Sequence, residues 1–83
     1  MKINFSKQQY DYLIANLFKE RKDLFDKLQE KKLDTYLFDL NEELMLLIRD
    51  WAGEKLQKVG FDKNYKLTMD GNTLEDLIDL LYE

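Results

Sequence analysis

The feature that most constrains this fold is a long stretch of helical periodicity in the middle of the chain. Apolar residues there recur at alternating steps of four and three, the spacing of a heptad seam that packs along a neighbouring helix. The seam consists of Leu33, Leu37, Leu40, Leu44, Leu47 and Trp51. A second row beside it, at steps of seven, consists of Phe38, Met45, Ala52 and Val59. Two rows need two neighbours, so the pattern predicts a central helix that begins near Leu33, ends at Gly60 as a left-handed cap and lies between two other helices.

The residues before this stretch predict a first helix from Ser6 to about Glu30. Ser6 and Gln9 have the spacing of a capping box, in which each side chain accepts a hydrogen bond from the other residue's amide. Arg21 lies at the centre of the apolar arc of this helix. We therefore expect Arg21 either to extend its guanidinium to the edge of the arc or to form a buried ion pair with a carboxylate from residues 34–43. The apolar arc itself consists of Tyr10, Leu13, Ile14, Leu17, Phe18, Leu24, Phe25 and Leu28.

The end of the chain predicts a third helix with one narrow apolar seam. Its start is open between Thr68 and Thr73, because both residues can cap a helix and the earlier start places Gly71 inside it. The seam residues are Leu74, Leu77, Ile78 and Leu81.

Together these patterns predict an all-α, three-helix domain over residues 1–83, with the long helix at its centre. The first helix is expected to pack antiparallel to the central helix along the heptad seam, and the last helix on the second row. Apolar residues also alternate at residues 2–5 and 65–69, so we expect a minor two-strand ribbon between these two segments.

The composition argues against catalysis. The chain has no histidine and no cysteine, which removes the commonest general base and the thiol nucleophile, and its only serine is the predicted cap Ser6. Four acids near the start of the central helix, Asp34, Asp39, Glu42 and Glu43, are better interpreted as complementing the helix dipole than as binding a cation. We expect no enzyme activity, no catalytic residue, no cofactor and no metal site.

Charge is unevenly distributed along the chain. Residues 1–32 carry eight Lys and Arg against five acids, whereas residues 33–83 carry five bases against twelve acids, for a net charge of −4. A basic first helix allows the alternative hypothesis of a nucleic-acid-binding regulator. Basic helix ends that face acidic helix starts explain the same asymmetry, so we expect nucleic-acid binding to be the weaker hypothesis.

The segment from Tyr65 to Leu74 resembles the strand-to-helix pattern Tyr-x-Leu-Thr-x-x-Gly-x-x-Leu near the end of winged-helix DNA-binding domains. That resemblance implies DNA binding. Nothing upstream matches the short recognition helix and turn that such domains require, so DNA binding is not transferred to this chain. In length and in its richness in Lys, Asp and Leu, the sequence is also similar to small accessory proteins of phages and mobile elements.

Four apolar residues lie outside every predicted stripe: Tyr12, Leu46, Leu80 and Tyr82. If they converge in space, they form a patch for a second copy or for another protein. We therefore predict a non-enzymatic protein-interaction module, such as an adaptor, an inhibitor or a homodimeric accessory protein. Because the chain lacks cysteine, a signal-like start and a membrane-length apolar run, we expect it in the cytoplasm, with no membrane or small-molecule partner.

Overall fold

The computed structural model describes residues 1–82 and contains four helices and a two-strand antiparallel ribbon. The first helix, α1, covers residues 7–20 and consists of α-helical turns Lys7–Tyr12 and Phe18–Glu20 on either side of a π-helical segment, Leu13–Leu17. The other elements are β1 (Lys2–Asn4), α2 (Lys22–Glu30), β2 (Leu37–Asp39), α3 (Glu42–Val59) and α4 (Met69–Leu81). The predicted helical fold with a long central helix, here α3, is confirmed.

The helix at the start of the chain begins as predicted and then breaks. The Ser6 hydroxyl accepts a hydrogen bond from the Gln9 amide at 3.1 Å, and the Gln9 side chain accepts one from the Ser6 amide at 2.8 Å. At Arg21 the backbone leaves the helical region (φ −139°, ψ 69°), so the predicted single helix becomes two, α1 and α2.

This break also corrects the prediction for Arg21. Its side chain is 46 % exposed and pairs with Asp23 two residues along, with Nε and Nη2 donating at 3.1 and 3.0 Å. The exposed guanidinium agrees with the first expectation, that the side chain extends into solvent, whereas the alternative of a buried pair with an acid from residues 34–43 is wrong. A residue at a helix break no longer follows the helical periodicity from which its position was predicted.

The central helix begins at Glu42, nine residues later than the predicted start at Leu33, and follows Asn41, whose side chain accepts a hydrogen bond from the Leu44 amide at 2.8 Å. Residues 31–41 fold back instead of continuing a helix. On one edge β2 pairs with β1, with Ile3 opposite Phe38, and on the other edge the Asp39 amide donates to the Lys31 carbonyl at 2.9 Å.

The predicted ribbon therefore exists at residues 2–4, but its partner is Leu37–Asp39 and not residues 65–69. Phe38 and Leu40 still reach the core through this extended segment, with 0 % and 1 % of their surface exposed. The Phe38 ring contacts Phe5 and Tyr10, with centroids 5.5 and 5.6 Å apart, so the ribbon closes the core over the first helix.

Helix α3 has neighbours on both sides, as its two rows predicted. On one side the Trp51 indole donates a hydrogen bond to Glu20 at the end of α1 at 3.2 Å. On the other side Met45 and Leu81 line one surface depression and Leu56 and Ile78 another, so α4 packs along that row. Ile48, which also belongs to α3, is fully buried in the core.

Helix α4 begins at the earlier of the two predicted positions. The Thr68 hydroxyl accepts from the Gly71 amide at 3.0 Å and donates to the Val59 carbonyl at 2.8 Å, which joins the cap of α4 to the end of α3. Gly71 is buried against the backbone of Gly60, and a Cβ at position 71 would overlap the Gly60 carbonyl group, whose carbon would lie 2.9 Å away. Gly60 ends α3 as predicted but with φ −77°, so it is not a left-handed cap. Gly71 is needed because the backbones of α3 and α4 approach closely there, whereas a Cβ at position 60 would overlap Leu56 in the preceding turn of α3.

Candidate interaction surfaces

Two of the four residues predicted for partner binding meet in space. Leu46 and Tyr82, which are 44 % and 69 % exposed, line one depression of about 310 Å³ between the start of α3 and the end of α4. The Arg49 guanidinium lies 4.9 Å from the centre of the Tyr82 ring, a distance at which a cation–π contact holds the ring in place.

The other two predicted residues take part in folding. Leu80 is half-buried against the core. Tyr12 packs beside Trp51, with ring centroids 6.4 Å apart, and its hydroxyl lies 3.5 Å from an Asp70 carboxylate oxygen. Burial, reinforced by the charges of Asp70 and Glu20, raises the pKa of the Tyr12 phenol, which therefore stays protonated and donates.

Glu20 at the end of α1 is an acid that joins α1 to α3. Its carboxylate accepts from the Trp51 indole and forms an ion pair with Lys55. The hydrogen bond from Lys55 is the main cause of a lowered pKa for the Glu20 carboxyl. These contacts give the Glu20 carboxylate a structural role between α1 and α3.

An exposed strip along the first two helices was predicted as core. It consists of Ile14, Phe18 and Phe25, and we call it the apolar strip. Ile14 is 44 % exposed and Phe18 is 47 % exposed, while the half-buried Phe25 ring meets Phe18 edge-on at 5.3 Å. All three lie on one side of the arc, whereas the leucines on its other side, Leu13, Leu17, Leu24 and Leu28, are fully buried. The arc is thus wider than the surface that α3 covers.

The connection between α3 and α4 forms a second exposed surface that sequence reasoning missed. Residues 59–69, which we call the hairpin, carry five large apolar side chains that are exposed to different degrees. These are Val59 (36 %), Phe61 (45 %), Tyr65 (87 %), Leu67 (37 %) and Met69 (80 %). The signal in the sequence for this surface is the presence of five large apolar residues in a connection that is otherwise polar. The alternation at residues 65–69 instead predicts a strand of the minor ribbon.

The hairpin is held by hydrogen bonds. Phe61 and Leu67 are directly opposite each other in an antiparallel bridge, which places their side chains on one face. The Asp62 amide donates to the Lys66 carbonyl at 2.9 Å, and the Asp62 carboxylate accepts from the amides of Asn64 at 2.8 Å and Lys66 at 3.1 Å. Tyr65 at the tip has φ 61°, the left-handed conformation that side chains other than Gly and Asn rarely adopt. The apolar side chains are thus displayed on an ordered turn.

The hairpin differs in charge from its surroundings. It carries Lys63 and Lys66 against a single acid, Asp62, whose carboxylate is occupied by backbone amides. The remaining residues from 33 to 83 carry three bases against eleven acids. Among the ion pairs within residues 1–82, none includes Lys63, Lys66 or any acid of α4.

A groove of about 240 Å³ lies between α3 and α4. Leu56 and Ile78 line it together with Glu75 and Asp79, and we call it the acidic groove. Glu75 and Asp79 are four residues apart on α4, where like charges repel each other and destabilise a helix slightly.

The structure offers no cluster for metal chemistry: within residues 1–82, no three or more acidic side chains come together in a way that could hold an ion. Of the four acids near the start of α3, Asp39 instead faces the terminal ammonium group of Met1 at 3.3 Å. None of the helices in the part of the chain that the structure describes has the length and apolar character needed to cross a membrane.

Comparisons of this chain with protein-family models, with curated proteins and with solved structures found no match. The hypotheses below therefore rest on the surfaces described above.

Proposed function

We propose that the protein is a non-enzymatic protein-interaction module that acts as an adaptor, an inhibitor or a homodimeric accessory protein of the kind that phages and mobile elements carry. The observation that carries this proposal is the hairpin, where Phe61, Tyr65, Leu67 and Met69 are exposed on an ordered turn. Apolar side chains that the fold does not bury and yet holds in place are typical of a binding surface.

The core does not need these residues. Seventeen apolar residues are buried around α3, and no buried side-chain nitrogen or oxygen within residues 1–82 lacks a hydrogen-bond partner. The apolar strip adds a second surface of similar character, with Ile14 and Phe18 each almost half exposed. A chain with a satisfied core and two exposed apolar surfaces is suited to binding a protein on either of them.

Nucleic-acid binding through the basic first helix has less support. Lys7 pairs with Asp11 at 2.7 Å, Arg21 with Asp23, and Lys22 with Asp26 at 3.1 Å, so three of its bases already have a local acid. Phosphate contacts need bases that are free to replace counterions. For the compartment we propose the cytoplasm, because the cysteine-free chain is suited to a reducing environment.

Site-specific photo-crosslinking in the native cell tests this function. A photoreactive residue is placed at Phe18, at Tyr65 and, as a control, at the exposed Glu54 of α3. We expect discrete crosslinks to protein from positions 18 or 65 and none from position 54. Crosslinks to nucleic acid alone, or equal and diffuse products from all three positions, would contradict the proposal.

A further inference from the structure

We infer that the hairpin of one copy docks into the acidic groove of a second copy, and that the two contacts form reciprocally in a two-fold dimer. This inference rests on the proposed function, because it names the partner of one of its surfaces. We identify the partner as a second copy because the two surfaces are complementary in charge. The hairpin is basic and apolar, and the acidic groove is acidic and apolar.

The hairpin has the features of the inserted partner. Tyr65 projects from its tip with 87 % of its surface exposed. Lys66 follows it directly in the sequence, and Lys63 lies two residues before it. A tyrosine combines a large apolar ring with a polar end and loses little side-chain entropy on binding. The hydrogen bonds that the Asp62 carboxylate accepts from the amides of Asn64 and Lys66 order the turn before binding, which lowers the entropy cost of association.

The groove has the features of the receiving site. Leu56 and Ile78 provide apolar surface, while Glu75 and Asp79 provide two carboxylates without an ion-pair partner in the described chain. A tyrosine ring against the apolar surface would bring Lys63 and Lys66 close to these carboxylates. The repulsion between Glu75 and Asp79 would then be replaced by attraction across the interface.

The local pattern of charge, rather than the net charge, favours a second copy over two other classes of partner. A molecule with a net charge of −4 is repelled by nucleic acid and by anionic membranes, and two lysines on one turn offset little of that repulsion. Two copies of net charge −4 also repel each other, and this repulsion is offset where the basic tip of one copy meets the acidic groove of the other. A single hairpin in a single groove is a small contact, so reciprocal pairing is needed, and the dimer is expected to be weak, in the micromolar range.

Reversing the charges tests the pairing. One variant carries Lys63→Glu with Lys66→Glu, which makes the hairpin acidic, and a second carries Glu75→Lys with Asp79→Lys, which makes the groove basic. In each variant alone, hairpin and groove have the same sign, so dimerisation should weaken by about tenfold or more. In an equimolar mixture, each hairpin meets a groove of opposite sign, and a heterodimer should form.

Sedimentation velocity of the full chain, from low micromolar to millimolar concentration, measures the association. The matched control is Asp50→Lys with Glu54→Lys, an exposed acid pair of the same spacing on α3, which should dimerise at least as well as the unmodified chain. Tyr65→Ser should weaken dimerisation about tenfold, because it removes the ring that fills the groove. Circular dichroism and melting curves establish that each variant is folded.

Several results would overturn the inference: a strict monomer at every concentration, a mass that grows without limit, hairpin or groove variants that dimerise like the unmodified chain, or variants that fail to associate when mixed. If the chain is monomeric while positions 18 or 65 still crosslink to another protein in cells, only this inference fails. If no position crosslinks to protein in cells and the purified chain does not dimerise, the proposed function fails as well.

Discussion

Two connections flank the central helix, and both are rich in apolar residues, yet the molecule uses them in opposite ways. Residues 31–41 place Phe38 and Leu40 in the core, where neither is more than 1 % exposed. Residues 60–68 leave Phe61 and Tyr65 in solvent, at 45 % and 87 % exposed.

The difference comes from what each connection pairs with. The first is bound on one edge by β1 and on the other by the carbonyl of Lys31, so its side chains are drawn over the first helix. The second is bonded mainly within itself and to the adjoining ends of α3 and α4. A connection paired with a distant segment adds to the core, whereas one paired with itself can present apolar residues to a partner.

The largest effect that tests this comparison is expected from Phe38→Ala. Removing a fully buried ring from the contacts with Phe5 and Tyr10 should lower the free energy of unfolding by about 3–5 kcal/mol. The matched change Phe61→Ala should cost less than about 1 kcal/mol, because that ring is already half in solvent. Urea unfolding followed by circular dichroism measures both values. Equal losses would show that the second connection is also part of the core.

The next effect concerns the glycine contact at the base of the hairpin. A methyl group at position 71 would overlap the Gly60 backbone, so Gly71→Ala should lower stability by about 1–3 kcal/mol. Gly53→Ala on α3 is the control, since no atom lies within 4 Å of its added Cβ, and it should raise stability by about 0.5–1 kcal/mol. If both substitutions stabilise the protein in thermal melts, the two backbones are not in close contact.

A smaller effect of opposite sign is expected at the hairpin tip. Tyr65→Asn places a residue that tolerates a left-handed backbone at φ 61°, and should raise the free energy of unfolding by about 0.5–1 kcal/mol. The same variant should lose dimerisation, because the ring is gone. A gain in stability together with a loss of dimerisation would show that the Tyr65 side chain is needed for binding and not for folding. A loss of stability would instead place the ring in the fold.

The smallest effect is expected at Arg21, the single residue that separates α1 from α2. Its ion pair with Asp23 is exposed, and such pairs contribute little, so Arg21→Met should leave the free energy of unfolding almost unchanged. Differential scanning calorimetry against the unmodified chain measures this change. A loss of several kcal/mol would mean that the pair holds the angle between α1 and α2.

Most of the helices could be predicted from local patterns. The capping box at Ser6, the end of α2 at Glu30 and the end of α3 at Gly60 all follow from residues that interact within one turn. The two-sided character of α3 also followed from spacing, because rows at Trp51 and at Met45 lie on different faces of any helix.

The candidate surfaces were less predictable. Leu46 and Tyr82 were expected to be exposed and do line one depression, but Ile14 and Phe18 were assigned to the core. Periodicity shows that an arc is apolar without showing how much of it a neighbour will cover. The hairpin was missed because exposure in a connection depends on what the rest of the chain leaves uncovered.

What the sequence by itself determined is the helical character of the chain, the start of α1, the ends of α2 and α3, and the absence of histidine and cysteine. Each depends on residue types or on contacts between residues a few positions apart. Only the tertiary structure decided that residues 33–40 leave the predicted helix, that β1 pairs with β2 and that the hairpin stays outside the core. The heptad spacing of Leu33, Leu37 and Leu40 fits a helix, but hydrogen bonds to β1 and burial of Phe38 favour the extended form. These contacts join residues more than thirty positions apart, and local spacing carries no information about them.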